Sequence, residues 1–194
     1  MSSQMSALPR QSLNPRQVET MERLFAEAYV LLDEVGHDQL TIRSVASRAG
    51  VSPATAYTYF ASKDHLFGEL FWRVVESDET PELDGDTPVR RLQQLVRHLA
   101  GLIASKPALA AAVNKSLLSG DPEVERLRLE IGQRWATAFQ EAVGPGTGVE
   151  PSVLMTLSFA VSGALLQAGM GMFTYERLAD HLEDAVSVIM AGVE

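Results

Sequence analysis

No cysteine occurs in this 194-residue chain, which excludes a disulfide framework, a thiolate metal site and a cysteine nucleophile, and suits a reducing compartment. Catalytic patterns are missing as well. His37, His65, His98 and His181 are scattered without metal-ligand spacing, and neither a nucleophile elbow nor a phosphate-cradling glycine loop occurs. The expectation is therefore no enzyme, no cofactor and no metal. The N-terminal MSSQMSALPRQSLNP lacks the continuous apolar stretch of a secretory signal, which points to a cytoplasmic protein. Charge is absent from Pro151 to Tyr175, long enough to cross a bilayer. Three glycines, several hydroxyls, Gln167 and acidic flanks make it a poor span, and a helix buried on most sides explains it better.

Acidic residues are also missing from one place where they matter. The chain carries a net charge of -9, with 16 Lys/Arg and 25 Asp/Glu, but no acid falls between Asp38 and Asp64. Arg43, Arg48 and Lys63 lie in that window. Residues 1–73 carry a net of -1 and residues 74–194 a net of -8. Phosphate contact depends on the local face rather than the total, so an acidic protein can still hold a basic reading surface.

What is present is helical periodicity throughout, with no alternating strand pattern and no repeat. The spacing predicts an all-α fold of about nine helices. Asn14, Pro15 and Gln17 mark the start of the first, whose face of Leu24, Phe25, Ala28, Leu31, Leu32 and Val35 ends at Gly36. Thr41 caps a second helix to about Ala49, Gly50 supplies a turn, and Ser52-Pro53 opens a third, Pro53 to Tyr59. Ser62 caps a fourth helix reaching about Glu79. The stretch 80–88, TPELDGDTP, reads as a loop and a seam. Residues 1–14 are then a flexible arm, 15–62 one domain with a connecting helix at 63–79, and 80–194 a second domain.

A helix, a tight turn and a short second helix at this spacing form the helix-turn-helix arrangement, in which the second helix enters the major groove. Pro53, Ala54 and Thr55 are small enough for close approach to base edges. Tyr57, Thr58, Tyr59 and Lys63 suit phosphates. Arg43 can attempt a guanine or a phosphate, and Tyr59 can face DNA or the core.

The stretch TIRSVASRAGVSPATAYTYFASKDHLF resembles the signature of the tetracycline-repressor (TetR) family of bacterial regulators, over roughly residues 16–72. The resemblance implies DNA-facing positions at Thr41, Arg43, Ser52, Pro53, Ala54, Thr55, Tyr57, Thr58, Tyr59 and Lys63, with Phe60 in the core. Thr58 departs from the pattern, since many relatives carry an aromatic there. It further implies a homodimer paired through the last two helices, a palindromic duplex operator, and a small-molecule effector bound in the C-terminal half. A repressor released by an apolar effector is the expected function; an all-α interaction protein without operator binding is the alternative. Candidate pocket residues are His98, Asn114, Trp135, Phe139, Met155, Phe159 and Gln167. Composition also favours dimerisation, because Ala160, Gly163, Ala164 and Ala168 give a small-residue surface for a close helix neighbour. Leu182, Val186 and Ile189 of the last helix complete the expected interface.

Overall fold

A computed structural model describes residues 13–192, and among them every regular element is helical. The nine α-helices are α1 (Pro15–Gln39), α2 (Ile42–Arg48), α3 (Pro53–Tyr59), α4 (Lys63–Glu76), α5 (Pro88–Ala104), α6 (Pro107–Ser116), α7 (Pro122–Val143), α8 (Pro151–Gly169) and α9 (Leu178–Ala191), with a 3-10 turn at Tyr175–Arg177. The expected N-terminal arm lies outside the described residues, Leu13 and Asn14 apart.

Helix starts follow the caps in the sequence. Asn14 accepts from the amides of Arg16 and Gln17, while the Gln17 side chain accepts from the Asn14 amide at 2.9 Å, a reciprocal box that satisfies donors the helix itself leaves open. Thr41 and Ser44 form the same box on α2. Gly36 has φ 72° and interrupts α1, so the regular run ends where the glycine stands, with a short further turn to Gln39.

The described residues fall into two compact units. One comprises the chain through Arg73 together with Ala111–Arg128; the other comprises Val74–Ala110 and the chain from Leu129 onward. In the first unit the core is built from Leu24, Phe25, Ala28, Leu31, Leu32, Ile42, Val45, Ala46, Ala56, Phe60, Leu66, Phe67 and Leu70, all buried. Phe25 and Phe60 meet with ring centroids 5.2 Å apart, which pins the exit of α3 to α1.

In the second unit α9 packs on α5 and α8. The buried stripe Leu92, Leu95, Val96, Leu99 and Ile103 of α5 is matched by Leu182, Val186 and Met190 of α9. Gln93 donates to Ser187 at 2.9 Å, and Arg97 pairs with Glu183. Arg91 donates to three carbonyls, Gly85, Ala142 and Val143, at 2.7–2.9 Å, and so holds the loop before α5 and the end of α7 together.

This packing corrects part of the interface expectation. Leu182, Val186 and Ala168 are buried within the single chain, and Ala160, Gly163, Ala164 and Ile189 are half-buried. Small residues did permit a close helix neighbour, but α9 of the same chain lies against α8. Among the apolar residues left exposed is a different stripe: Met155, Phe159 and Leu166 on α8 and Met170 at its C-cap, with Val188 on α9. Phe159 is 68% exposed and Val188 76%. Helix α8 is long and apolar enough to cross a membrane by length and composition, yet only 17% of its apolar window is buried in the chain, because one side faces α9 and the other is open.

Candidate nucleic-acid interface

The turn between α2 and α3 is set by local chemistry. Gly50 has φ 68°, the left-handed region, and the Val51 amide donates to the Ala46 carbonyl at 3.0 Å to close the corner. A Cβ at Gly50 would meet nothing within 4 Å, so Gly50→Ala carries only the backbone cost. That cost is about 1–2 kcal/mol. A thermal melt should show the destabilisation, and an unchanged midpoint would count against a required left-handed residue here.

Ser52 caps α3 by accepting from the Thr55 amide at 3.0 Å, with Pro53 in the first turn. Ala56 and Phe60 fix the inner face of the helix in the core. The outer face carries Ser52, Pro53, Ala54 and Tyr57, all exposed, with Thr55 and Thr58 half-buried beside them. Thr41 and Arg43 are exposed at the start of α2. Eight of the ten expected DNA-facing residues are therefore brought to one two-helix surface; Tyr59 and Lys63 are held elsewhere.

Tyr59 is buried to 8% exposure against Phe60, which resolves its two readings toward packing. Seven residues make about two turns, so one aromatic must point inward when Ala56 does. Lys63 donates to the His37 carbonyl at 2.9 Å, capping the end of α1. Arg48 reaches Glu27 at 3.0 Å and also pairs with Glu34. The acid-free window is thus acid-free only along the chain, since α1 supplies two carboxylates to it across the fold. The Arg43 side chain, by contrast, has neither a hydrogen bond nor an ion pair within the described residues.

The hydroxyls are mostly occupied. Ser52 and Thr55 share a bond at 2.8 Å, Thr58 donates to the Thr55 carbonyl at 2.6 Å, and Thr41 is tied to Ser44. These side chains order the backbone. Arg43 and the Tyr57 rim, with the apolar Pro53-Ala54 corner, are what the surface offers outward.

One flanking carboxylate is strongly perturbed. Asp38 is lowered from its ordinary 3.8 to about 2 by a hydrogen bond from His37 at 2.9 Å, then by Lys115 at 3.0 Å. A depressed carboxylate stabilises the fold above its unfolded value and loses that contribution as pH falls through the folded one. Asp38→Asn should therefore flatten the acid unfolding profile between about 3.8 and about 2. Circular dichroism checks this, and superimposable profiles would refute it.

The pocket candidates differ in exposure. Met155, Phe159 and Gln167 are exposed on α8, so they cannot line the interior of one chain. Phe139 is buried, Trp135 is half-buried, and the half-buried His98 Nε2 is held by both Asp78 oxygens at 2.8–2.9 Å. Asn114, half-buried, belongs to the other unit. Among the described residues no group of three or more His, Cys, Asp and Glu could hold a metal ion.

A capped seven-residue helix after a glycine turn, with small residues outward and a free arginine on the preceding helix, defines a helix-turn-helix DNA-binding protein. Residues 24–70 match the family model described as bacterial regulatory proteins, tetR family. The chain is 41% identical over 184 residues to the uncharacterized HTH-type transcriptional regulator Rv0767c of Mycobacterium tuberculosis, covering 93% of this chain and 85% of that one. It is 28% identical over 138 residues to the HTH-type transcriptional repressor KstR of Mycolicibacterium smegmatis, covering 69% and 68%. Its fold is similar to that of the Thermus thermophilus repressor FadR, solved in complex with lauroyl-CoA, with a TM-score of 0.69 at 24% identity over 90% of this chain and 95% of that one. The protein belongs to the TetR family of transcriptional regulators.

Proposed function

We propose that the protein is a cytoplasmic, homodimeric repressor that binds a palindromic operator and leaves it when a small apolar effector occupies the C-terminal half. Residues 15–62 are the DNA-binding domain, 63–79 the connecting helix, and 80–194 the ligand-binding and dimerisation domain. The observation that carries this reading is the outward face of α3 beside the unpaired Arg43.

In this arrangement Pro53, Ala54 and Thr55 meet base edges, where a thymine methyl is the natural partner of an apolar corner. Tyr57 and the first turn of α2 fix the register on the backbone. The exposed stripe Met155, Phe159, Leu166, Met170 and Val188 forms the dimer contact, and two-fold pairing spaces the reading helices for half-sites about 34–36 Å apart. The FadR neighbour was solved with lauroyl-CoA, a ligand with an apolar acyl chain and a charged head, and KstR is likewise named a repressor; the apolar chain is the part of such a ligand that this reading takes as its guide. Such a ligand acts only if it binds the DNA-incompetent arrangement more tightly than the competent one.

Selection of duplexes from a random-sequence library tests the reading. Enrichment of an inverted repeat, bound with a steep salt dependence, supports it. Enrichment of nothing, or binding indifferent to sequence, overturns it.

A further inference from the structure

The segment Ala111–Arg128 lies some fifty residues beyond the reading helix, yet it packs in the same compact unit. The turn that leaves α3 explains how. Ser62 caps α4 by accepting from the His65 amide at 3.0 Å, and its own hydroxyl donates to Asp121 Oδ2 at 2.5 Å. Asp121 caps α7, its Oδ1 accepting from the Glu123 amide at 2.9 Å. Two helix N-termini therefore share one hydroxyl–carboxylate bond.

A second route runs in parallel. The Ala61 amide donates to His65 Nδ1 at 3.1 Å, which leaves the ring proton on Nε2 to donate to Glu69 Oε1 at 3.2 Å. Arg126 of α7 donates to the same Glu69 oxygen at 3.2 Å. His65 and Glu69 are 2% and 6% exposed, so these bonds are not exchanged for water at little cost. Close approach is possible because α4 carries Gly68 here: a Cβ on it would lie 2.8 Å from Leu127 Cδ1.

We infer that Asp121 is a positioning residue for DNA reading, which sets the exit of the recognition helix through Ser62 without itself meeting DNA, with Arg126 acting likewise through Glu69 and His65. The inference rests on α3 being the reading helix. Its chemistry is directional. Phe60 anchors the end of α3 in the core, and the Ser62–Asp121 bond decides where the next two residues can go, so losing it lets the α3 exit turn rather than unfold.

The test uses full-length Ser62→Ala, Asp121→Asn, their double variant and Ser62→Thr, with a duplex selected by the wild-type protein as probe and anisotropy as readout. Asp121→Asn keeps the carbonyl acceptor for the α7 cap and turns its NH2 toward the Ser62 hydroxyl, so the charge-assisted bond is replaced by a weaker neutral one of reversed direction. Each single variant should bind about tenfold more weakly, as expected for a charge-assisted bond at a half-buried site. The double variant should bind no more weakly than the worse single, and Ser62→Thr should stay within about twofold of wild type. Two unrelated helix caps would instead give losses that multiply. Multiplying losses, unchanged affinity, or failure of Ser62→Thr to restore binding overturns the inference. If Ser62→Ala does not fold, Arg126→Gln carries the same expectation of weaker binding by a chain that is still folded at the assay temperature though with a lowered melting temperature, and normal binding by it overturns the inference too. Failure of the wild-type protein to enrich any duplex is a different result, which removes the DNA reading itself.

Discussion

Phe159→Asp is expected to convert the protein from dimer to monomer at micromolar concentration while leaving each chain folded. Phe159 is 68% exposed in the single chain, so a carboxylate there meets water and costs the monomer little. In a two-fold interface the same carboxylate is buried twice, once from each subunit, without a cation among its neighbours Met155, Leu166 and Met170. The expected loss is about 3 kcal/mol or more, at least a hundredfold in the dimer dissociation constant. Sedimentation velocity reads it directly. Operator affinity should fall with it, because a palindrome is bound by two heads held together. Leu182→Asp is the informative contrast: Leu182 is buried within the chain, and this variant should lower the melting temperature of the monomer itself. A Phe159→Asp protein that sediments as wild type would place the interface elsewhere.

Arg43→Ala and Tyr57→Ala should each weaken operator binding without changing helicity or oligomeric state. Arg43 has no intramolecular partner to lose and Tyr57 is exposed, so the folded protein has little stake in either. Loss of an arginine–guanine pair costs about 1–3 kcal/mol and relaxes preference at one base position. Loss of a phosphate contact weakens all sequences alike and reduces the salt slope by about one. Measuring affinity against salt thus separates the two roles left open for Arg43. Tyr57, as a backbone contact, should weaken cognate and altered sites in parallel. Two variants that bind like wild type in a gel shift would refute the assignment of this face.

The difference between Arg43 and its neighbours shows how far linear reading could go. Along the chain Arg43, Arg48 and Lys63 are equivalent, three cations in a window without acids. In space Glu27 and Glu34 come from α1 to occupy Arg48, and the His37 carbonyl takes Lys63. All three partners lie more than ten residues away in sequence. Tyr59 tells the same story for packing, because which face of α3 turns inward is seen only with Ala56 and Phe60 in the core and Phe60 against Phe25.

Helix α8 shows where composition indicates an unmet need but not the partner that meets it. A helix uncharged all round has to be covered, and the small residues Ala160, Ala164 and Ala168 showed that a close neighbour was possible. Whether that neighbour was α9 of the same chain or a second copy was beyond sequence. The same gap misplaced Met155 and Phe159, which stand outside the chain rather than in a pocket. Nor did any sequence pattern join Ser62 to Asp121, since each reads alone as an ordinary helix cap.

By itself the sequence determined the local elements: caps, glycine turns and apolar periodicity place α1 to α4 and the helix-turn-helix, because those signals act over three or four residues. Tertiary structure alone decided which cations remain without an intramolecular partner, which side of α8 stays open, and which later segment packs in the same unit as the helix-turn-helix. Those outcomes depend on side chains brought together from distant positions, where burial and charge pairing, not local propensity, choose the partners.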